Sequence, residues 1–379
     1  MPRVGLDRLS RAKEALDWLE RAHTAVGGKG VSVGYFAGRG WLGPYPEVSG
    51  YLLCTLRVLA DAEKTVGSGT AQKAEAIAKT ITRWLADELY EKGHGYRSFN
   101  AGRSSAELVF DTGQILHGLV SMAAWKPETC ASEKIGAIAD WLCQQMDPDG
   151  GWTRGTFWGG PAEAYYLRVT WALSRAGRLL NDRRLLDRAR LNFHYFLKHS
   201  STDHWDGFLS RGIREPYLAI LHFLAYTAQA AVECGAAFES DGMTRLAERM
   251  LDWLADWHMK PGGLPGRIDR GGKPDRSFRC LTGEFQTAIS FYRYAMLSSK
   301  RGYQVTADEI LERALEGSAF SAGTPPVRRG GVWGSEPIYG SYQPWTQISW
   351  GAKFLIDAVL AAEECGRPVS ELIRKGELA

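Results

Sequence analysis

The chain has 379 residues, with 46 Lys and Arg against 43 Asp and Glu, a formal net charge of +3, and 45% hydrophobic residues. That near balance, without a basic run, argues against nucleic-acid binding, and no stretch approaches the roughly 18–20 uninterrupted apolar residues of a membrane span. The hydrophobic share is ample for a large core, and the lack of a Pro/Ser-rich linker favours one domain over residues 1–379.

Helical periodicity dominates along the chain. The N-terminal segment lacks the apolar core of a signal peptide and reads as an amphipathic helix with Leu9, Ala12, Ala15, Leu16 and Leu19 on one face. The loop VGYFAGRGWLGPYPEVSG, starting at Val33, feeds a helix over about 49–62, and an outer helix follows over about 71–90. A second loop, from Glu91, precedes helices over about 112–125 and 132–146. The loop DPDGGWTRGTFWGGP, from Asp147, leads to helices over about 162–179 and 183–199. The loop DHWDGFLSRGIREP, from Asp203, leads to helices over about 216–233 and 242–258. A long loop from Lys260 leads to helices over about 282–297 and 305–317. The last loop, from Gly323, leads to a helix over about 346–364.

These elements repeat. Gly- and aromatic-rich loops centre near Gly34, Gly95, Gly150, Gly207, Gly263 and Gly331, at intervals of 61, 55, 57, 56 and 68 residues. Each is followed by two helices, the pattern of stacked helical hairpins. The helices at about 112–125, 162–179, 216–233, 282–297 and 346–364 are apolar nearly all round, as doubly covered helices should be. Those at about 71–90, 183–199 and 242–258 carry one charged side. The expectation is an all-α (α/α)6 toroid of about twelve main helices. The helix after each loop lines the inside, the first and last helices pair to close the circle, and all six loops converge on one mouth. No strand period is sustained, so sheet is limited to short pairings within loops.

Six scattered cysteines, Cys54, Cys130, Cys143, Cys234, Cys280 and Cys365, form no CxxC pair and read as reduced thiols, which suits a cytoplasmic setting. HExxH, EF-hand and Cys/His metal spacings are missing, as is the phosphate loop GxxxxGK[ST], so neither metal nor cofactor is expected.

The toroid class includes six-hairpin glycosidases, polysaccharide lyases, sugar epimerases and terpene cyclases. The segment WLCQQMDPDGGW, from Trp141, resembles the squalene-cyclase repeat, in which the Gln (here Gln145) and Trp (here Trp152) tie a helix end to the next loop. The acidic DxDD motif of those cyclases is absent, as are the zinc sets of prenyltransferases and lanthionine cyclases. The segments PYPEVSGY (from Pro44), FDTGQILHGL (from Phe110), CLTGEFQTAI (from Cys280) and GVWGSEPIYGSYQPWTQISWGAKFLIDAVL (from Gly331) resemble a group of bacterial and archaeal proteins encoded among surface-polysaccharide synthesis genes. That resemblance implies a glycan setting, with an oligosaccharide, a polysaccharide or its lipid-linked precursor as partner, and implies no mechanism.

The residues suggest chemistry at the mouth. Glu47, Asp111, Glu163, Glu215 and Glu284 fall at or near the starts of inner helices, and Glu336 lies in the last loop. Carboxylates there complement helix dipoles, yet two in one cleft suffice for glycoside hydrolysis. Asp111 leads the candidates, followed by Glu47 and Glu336, then Glu215 and Glu284. Sugar rings stack their C–H faces on aromatics, which makes Trp41, Tyr45, Trp158, Trp333, Tyr339, Tyr342 and Trp345 candidates for binding. Arg154, Arg211, Arg214 and Arg276 could hold uronate carboxylates or phosphate, or could anchor loops. His117 reads first as a core histidine and second as a base. A glycoside hydrolase is the leading expectation. A uronate lyase or C5-epimerase (Arg with Tyr339, Tyr342 or His117), a terpene-cyclase-like enzyme and a non-catalytic glycan-binding scaffold remain open.

Overall fold

The computed structural model describes residues 8–97, 106–201, 203, 219–269, 271–317 and 325–366. Among them are thirteen α-helices: α1 (Arg8–Ala25), α2 (Pro46–Asp61), the single turn α3 (Glu63–Val66), α4 (Ser68–Arg83), α5 (Val109–Trp125), α6 (Ser132–Gln145), α7 (Leu167–Leu179), α8 (Arg183–Lys198), α9 (Leu221–Ala237), α10 (Asp241–His258), α11 (Leu281–Ser298), α12 (Arg301–Leu315) and α13 (Ser349–Cys365). Helices α2, α5, α7, α9, α11 and α13 contact one another in sequence, and α13 returns to α2. Each packs one outer helix: α4, α6, α8, α10, α12 and α1 respectively. This is the (α/α)6 toroid, and α1 closes it against α13.

The two rings differ in composition for a physical reason. Outer helix α8 buries Leu185, Ala189, Phe193 and Phe196 on one stripe and starts at Asp182, whose carboxylate accepts the N–H groups of Arg184 and Leu185 at 2.9 and 3.3 Å. Ser240 caps α10 in the same way through Met243 N–H. Inner helix α5, by contrast, is buried at every position from Val109 to Ala123. The inner helices have no such caps: Tyr45, Leu108, Tyr166, Ile220, Cys280 and Ile348 stand at their N-termini without a capping side chain. The loops satisfy some of these ends instead, as where Val109 N–H donates to Gly155 O at 2.8 Å and Ser349 N–H to Val33 O at 3.1 Å.

Several boundaries shift from expectation. Helix α2 begins at Pro46 rather than near 49, because proline's fixed φ suits the first helical position. Helix α5 begins at Val109 rather than near 112, so both Glu47 and Asp111 sit within a first turn. Helix α7 begins at Leu167 rather than near 162, after a 3-10 turn over Ala164–Tyr166.

Sheet is confined to loops. Strands β1 (Gly34–Phe36), β2 (Gly40–Trp41) and β6 (Thr346–Ile348) form one sheet in the order β2-β1-β6. The antiparallel register Gly34↔Ile348 and Phe36↔Thr346 joins the first loop to the last. Strands β3 (Ala219–Ile220), β4 (Arg267–Ile268) and β5 (Pro274–Asp275) join the approaches to α9 and α11. A glycine contact brings α2 and α5 together: a Cβ on Gly118 would lie 1.9 Å from Gly50 O, and one on Gly50 would lie 2.5 Å from Ile115 Cα. Only glycine permits that approach, which sets the first turns of α2 and α5 side by side.

Candidate active site

The inner helices start at one end of the ring, and there a cavity of about 410 Å³ opens. Helix α2 contributes Glu47 and Tyr51, with Tyr45 and Val33 ahead of it. Helix α5 contributes Phe110 and Asp111, and the third loop contributes Phe157, Trp158 and Tyr165. Helix α9 supplies His222, Phe223 and Tyr226, and the last loop with α13 supplies Tyr342, Gln343 and Trp350. Mostly apolar walls with a few convergent polar groups are the usual make-up of a small-molecule site.

The walls are a connected aromatic lattice. Phe110 meets Tyr165 edge-on at 4.8 Å and Tyr226 at 5.6 Å, and Tyr165 stacks on Phe223 at 5.2 Å. His222 lies 4.2 Å from the Tyr226 ring, and Trp350 Nε1 donates to the Tyr342 hydroxyl at 2.8 Å.

Two carboxylates face this space. Glu47 and Asp111 are 6% and 3% exposed. Burial pushes the Glu47 carboxyl up to about 7, while its hydrogen bond to Tyr45 and the charge of Arg168 pull the other way. Burial also drives His222 down to about 3, with the Arg168 charge adding to the effect, so its imidazole is neutral at neutral pH. The phenols of Tyr45, Tyr51, Tyr165, Tyr226 and Tyr342 are all raised by burial. They donate hydrogen bonds but are poor bases.

Behind the Tyr226 wall lies a cation. Arg168 is 2% exposed, and its guanidinium sits 4.7 Å over the Tyr226 ring. It donates to Gln114 Oε1 at 3.0 Å and Gln229 Oε1 at 2.8 Å, both neutral amides, and Gln286 Nε2 donates to the same Gln229 oxygen at 3.0 Å.

Of the residues expected from sequence, Glu47, Asp111, Tyr45, Trp158 and Tyr342 meet on the cavity. Glu284 and Glu336 do not. Arg279 Nε and Nη2 donate to Glu284 at 2.9 and 2.5 Å, and Arg279 Nη1 donates to Glu336. Arg279 and Glu336 also exchange backbone hydrogen bonds at 2.7 and 3.0 Å. The trio is a joint between α11 and the last loop. Trp41 packs 5.0 Å from Trp18, and Trp333 is buried in a bridge to Gln347. Arg154 donates to Gln144 O at 3.3 Å and Arg276 to Gly263 O at 3.0 Å, so both anchor loops. His117 is buried 4.3 Å from Trp171, with Arg175 Nη1 3.1 Å from its Nε2. Tyr339 and Trp345 are exposed outside the cavity. Glu215, Arg211 and Arg214 lie outside the described residues. Trp152, from the cyclase-like repeat, is fully buried and donates to Leu142 O at 3.2 Å, a structural tie.

Sequence reading missed His222, Tyr226, Tyr165, Trp350 and Arg168. His222 and Trp350 are each the second residue of an inner helix, as Glu47 is, so the helix-start register was a usable signal. Tyr226 lies on a helix buried at nearly every position, where periodicity does not single out a face, and Arg168 lies in the first turn of α7, which is buried from Leu167 to Ser174.

No protein-family model matches the chain, and no curated protein sequence matches it. Solved structures do. An unsaturated glucuronyl hydrolase specific for heparin superposes with a TM-score of 0.69 at 15% identity, over 94% of this chain and 97% of that one. A sugar epimerase from a ruminal bacterium gives 0.66 at 11%, over 93% and 98%. A D-mannose isomerase gives 0.67 at 11%, over 96% and 99%. This chain shares their toroid fold over nearly its whole described length. Among the described residues no helix is long and apolar enough to cross a membrane.

Proposed function

We propose that the protein is a glycan-processing enzyme whose reaction is hydrolysis of a glycosidic bond at the mouth of the toroid. One observation carries this reading: two buried carboxyls on adjacent inner helices, Glu47 and Asp111, line one aromatic-walled cavity. Glu47, raised to about 7, is the general acid; protonated near neutral pH, it gives its proton to the departing glycosidic oxygen. Asp111 is the base or nucleophile. Either it takes a proton from the water that adds to the anomeric carbon, or it bonds to that carbon itself, in which case the Glu47 carboxylate takes the water's proton as the glycosyl ester is cleaved and Asp111 leaves. The aromatic walls receive the C–H faces of the sugar, and the tyrosine hydroxyls meet its edges. The toroid fold shared with sugar-acting hydrolases and epimerases supports a carbohydrate substrate. A cavity with two carboxylates fits a cyclase less well, since that reading calls for a lone acid. A bacterial surface polysaccharide remains part of the proposal on the resemblance in sequence, and a cytoplasmic location on the scattered, unpaired cysteines.

A second reading has its own observation. His222 presents a neutral imidazole to the cavity, the form that takes a proton from a sugar carbon in epimerisation or isomerisation, but the burial that holds it neutral also weakens it as a base, so this reading ranks second. The raised phenols count against a tyrosine base.

The test is incubation with lyase-generated unsaturated heparin disaccharide, cellobiose, maltose and mannose, followed by mass spectrometry and NMR. Gain of a water with cleavage, abolished in Glu47→Gln and Asp111→Asn, supports hydrolysis. An isomer of unchanged mass, lost in His222→Asn, replaces it with the second reading. No change with any sugar sinks both.

A further inference from the structure

The last loop sends its side chains to two sides. Tyr342 and Gln343 line the cavity, whereas Tyr339 and Trp345 are 67% and 45% exposed. The two exposed rings lie 6.3 Å apart, tilted by 43°. Their display is held by hydrogen bonds: Trp345 N–H donates to Ile338 O at 2.7 Å, and Ala37 N–H to Trp345 O at 2.8 Å. Ser335 Oγ donates to Tyr342 O at 2.6 Å and accepts Tyr342 N–H at 3.0 Å. Gln343 and Trp345 have φ of 49° and 59°, in the left-handed region that side chains rarely adopt. That backbone carries the chain from Gln343, itself exposed at the cavity rim, across Pro344 to Trp345. A strained, firmly bonded tryptophan facing water gains little from packing, and strain of this kind gathers at ligand-binding sites.

The chemistry of the surface indicates its occupant. Trp345 follows the cavity-lining Gln343 by two residues, so the exposed pair stands in the loop that borders the cavity. Arg39, at the tip of the β1–β2 turn beside Ala37, stands 5.3 Å over Phe36 and offers a polar edge. A cavity of about 410 Å³ holds the end of a glycan, not its length. We propose that Tyr339 and Trp345 form an outer platform on which the next sugar ring of an oligosaccharide stacks, so that the protein binds chain ends of oligosaccharides in preference to the shortest sugars. This rests on the reading of the cavity as a glycan site.

The experiment is calorimetric titration of the full-length Asp111→Asn protein, alone and with Trp345→Ala, Tyr339→Ala or both. The probes are the unsaturated disaccharide and tetrasaccharide released from heparin by a lyase, cellobiose and cellotetraose, and maltose and maltotetraose. The expected result is tighter binding of one tetrasaccharide than of its disaccharide, by roughly three- to tenfold, with that ratio falling toward one in the double variant. Unfolding temperatures confirm that the variants fold. Equal affinity for both lengths, or a length preference that survives the double variant, overturns the platform and leaves the cavity reading intact. Binding of none of the probes defeats the cavity reading and the platform with it.

Discussion

Glu47 and Glu284 hold matching places in the ring and have different fates. Each lies in the first turn of an inner helix, and each is buried, at 6% and 1% exposure. Glu284 is gripped by Nε and Nη2 of Arg279, whose Nη1 holds Glu336 and whose Nη2 also donates to Arg313 O at 2.9 Å. Glu47 faces the cavity, bonded to a tyrosine, with its nearest strong cation, Arg168, held by neutral amides. A buried carboxylate in a bidentate arginine clamp is stabilised as a fixed anion and is spent on structure. One whose charge is compensated only in part keeps a proton within reach of neutral pH, and can therefore trade it. Glu47 is the second residue of its helix and Glu284 the fourth, which turns the two side chains about 200° apart, so direction and counter-ion together decide the role.

The sharpest way to break this comparison is to neutralise each carboxylate in turn. Glu47→Gln and Asp111→Asn should each lower turnover by roughly 10²- to 10⁴-fold, the share typical of a general acid or base, while Glu284→Gln and Glu336→Gln should leave the turnover of folded protein within a few-fold of wild type. Initial rates on whichever glycan the panel identifies give the answer. A Glu284→Gln protein as inactive as Glu47→Gln would show that the division is wrong.

Stability should invert the ranking. Arg279→Met leaves Glu284 buried without its partner and should cost about 3–5 kcal/mol, read from urea unfolding. Adding Glu284→Gln should recover most of that loss, because the stranded charge disappears with it. No recovery in the double variant would mean that Arg279 acts mainly through Glu336 and the Arg313 carbonyl.

Glu47 makes the opposite prediction, and its sign can be worked out. Its folded-state pKa, about 7, lies above the ordinary 4.5, so the folded protein binds the proton more tightly than the unfolded chain. The stability this confers is fully present below about pH 4.5 and is lost as pH rises through 7. Glu47→Gln should therefore match wild type near pH 4.5 and be more stable by roughly 2–3 kcal/mol at pH 8.5, seen as a higher unfolding temperature there. A variant that is less stable at every pH would mean that Glu47 is clamped as Glu284 is.

The fold was readable because it is written many times: six loops, five nearly all-apolar helices and a charged stripe on outer helices, each repeat supporting the others. The site was readable only where a side chain stands out locally. Glu47 and Asp111 stood out as acids at helix starts, but so did Glu284. Arg279, five residues earlier, is a local cue that would have set Glu284 apart, since no basic residue stands within five positions before Glu47 or Asp111. Glu336 gave no cue, because its tie to Arg279 spans 57 residues. Arg168 and Tyr226 were hidden for other reasons. Tyr226 lies on α9, which is buried on nearly all sides and carries little amphipathic signal, whereas Arg168 falls on one side of α7 with Arg175 and Arg178 and so reads in sequence as part of a solvated face. The Trp41 and Trp333 rings sit in Gly-aromatic loops like Tyr45 and Tyr342, and only the strand pairing β2-β1-β6 turns the first two into packing.

The smallest expected effect tests the cation behind the wall. Arg168 draws the Glu47 carboxyl downward against burial, while Tyr45 bonds to it and Tyr51, Tyr226 and Tyr342 share its surroundings as neutral phenols. Removing the charge while keeping a polar side chain for Gln114 and Gln229, as in Arg168→Gln, should let Glu47 hold its proton to higher pH. For an acid that must be protonated to act, the alkaline limb of kcat/KM should move upward by roughly half to one pH unit, and Arg168→Lys should restore it. A purely structural Arg168 would lower activity equally at all pH values and leave the limb in place. An acid limb that moves upward in Arg168→Gln, with the alkaline limb left in place, would mean that Glu47 acts in its ionised form, which would exchange the roles of the two carboxylates and keep the contrast with Glu284.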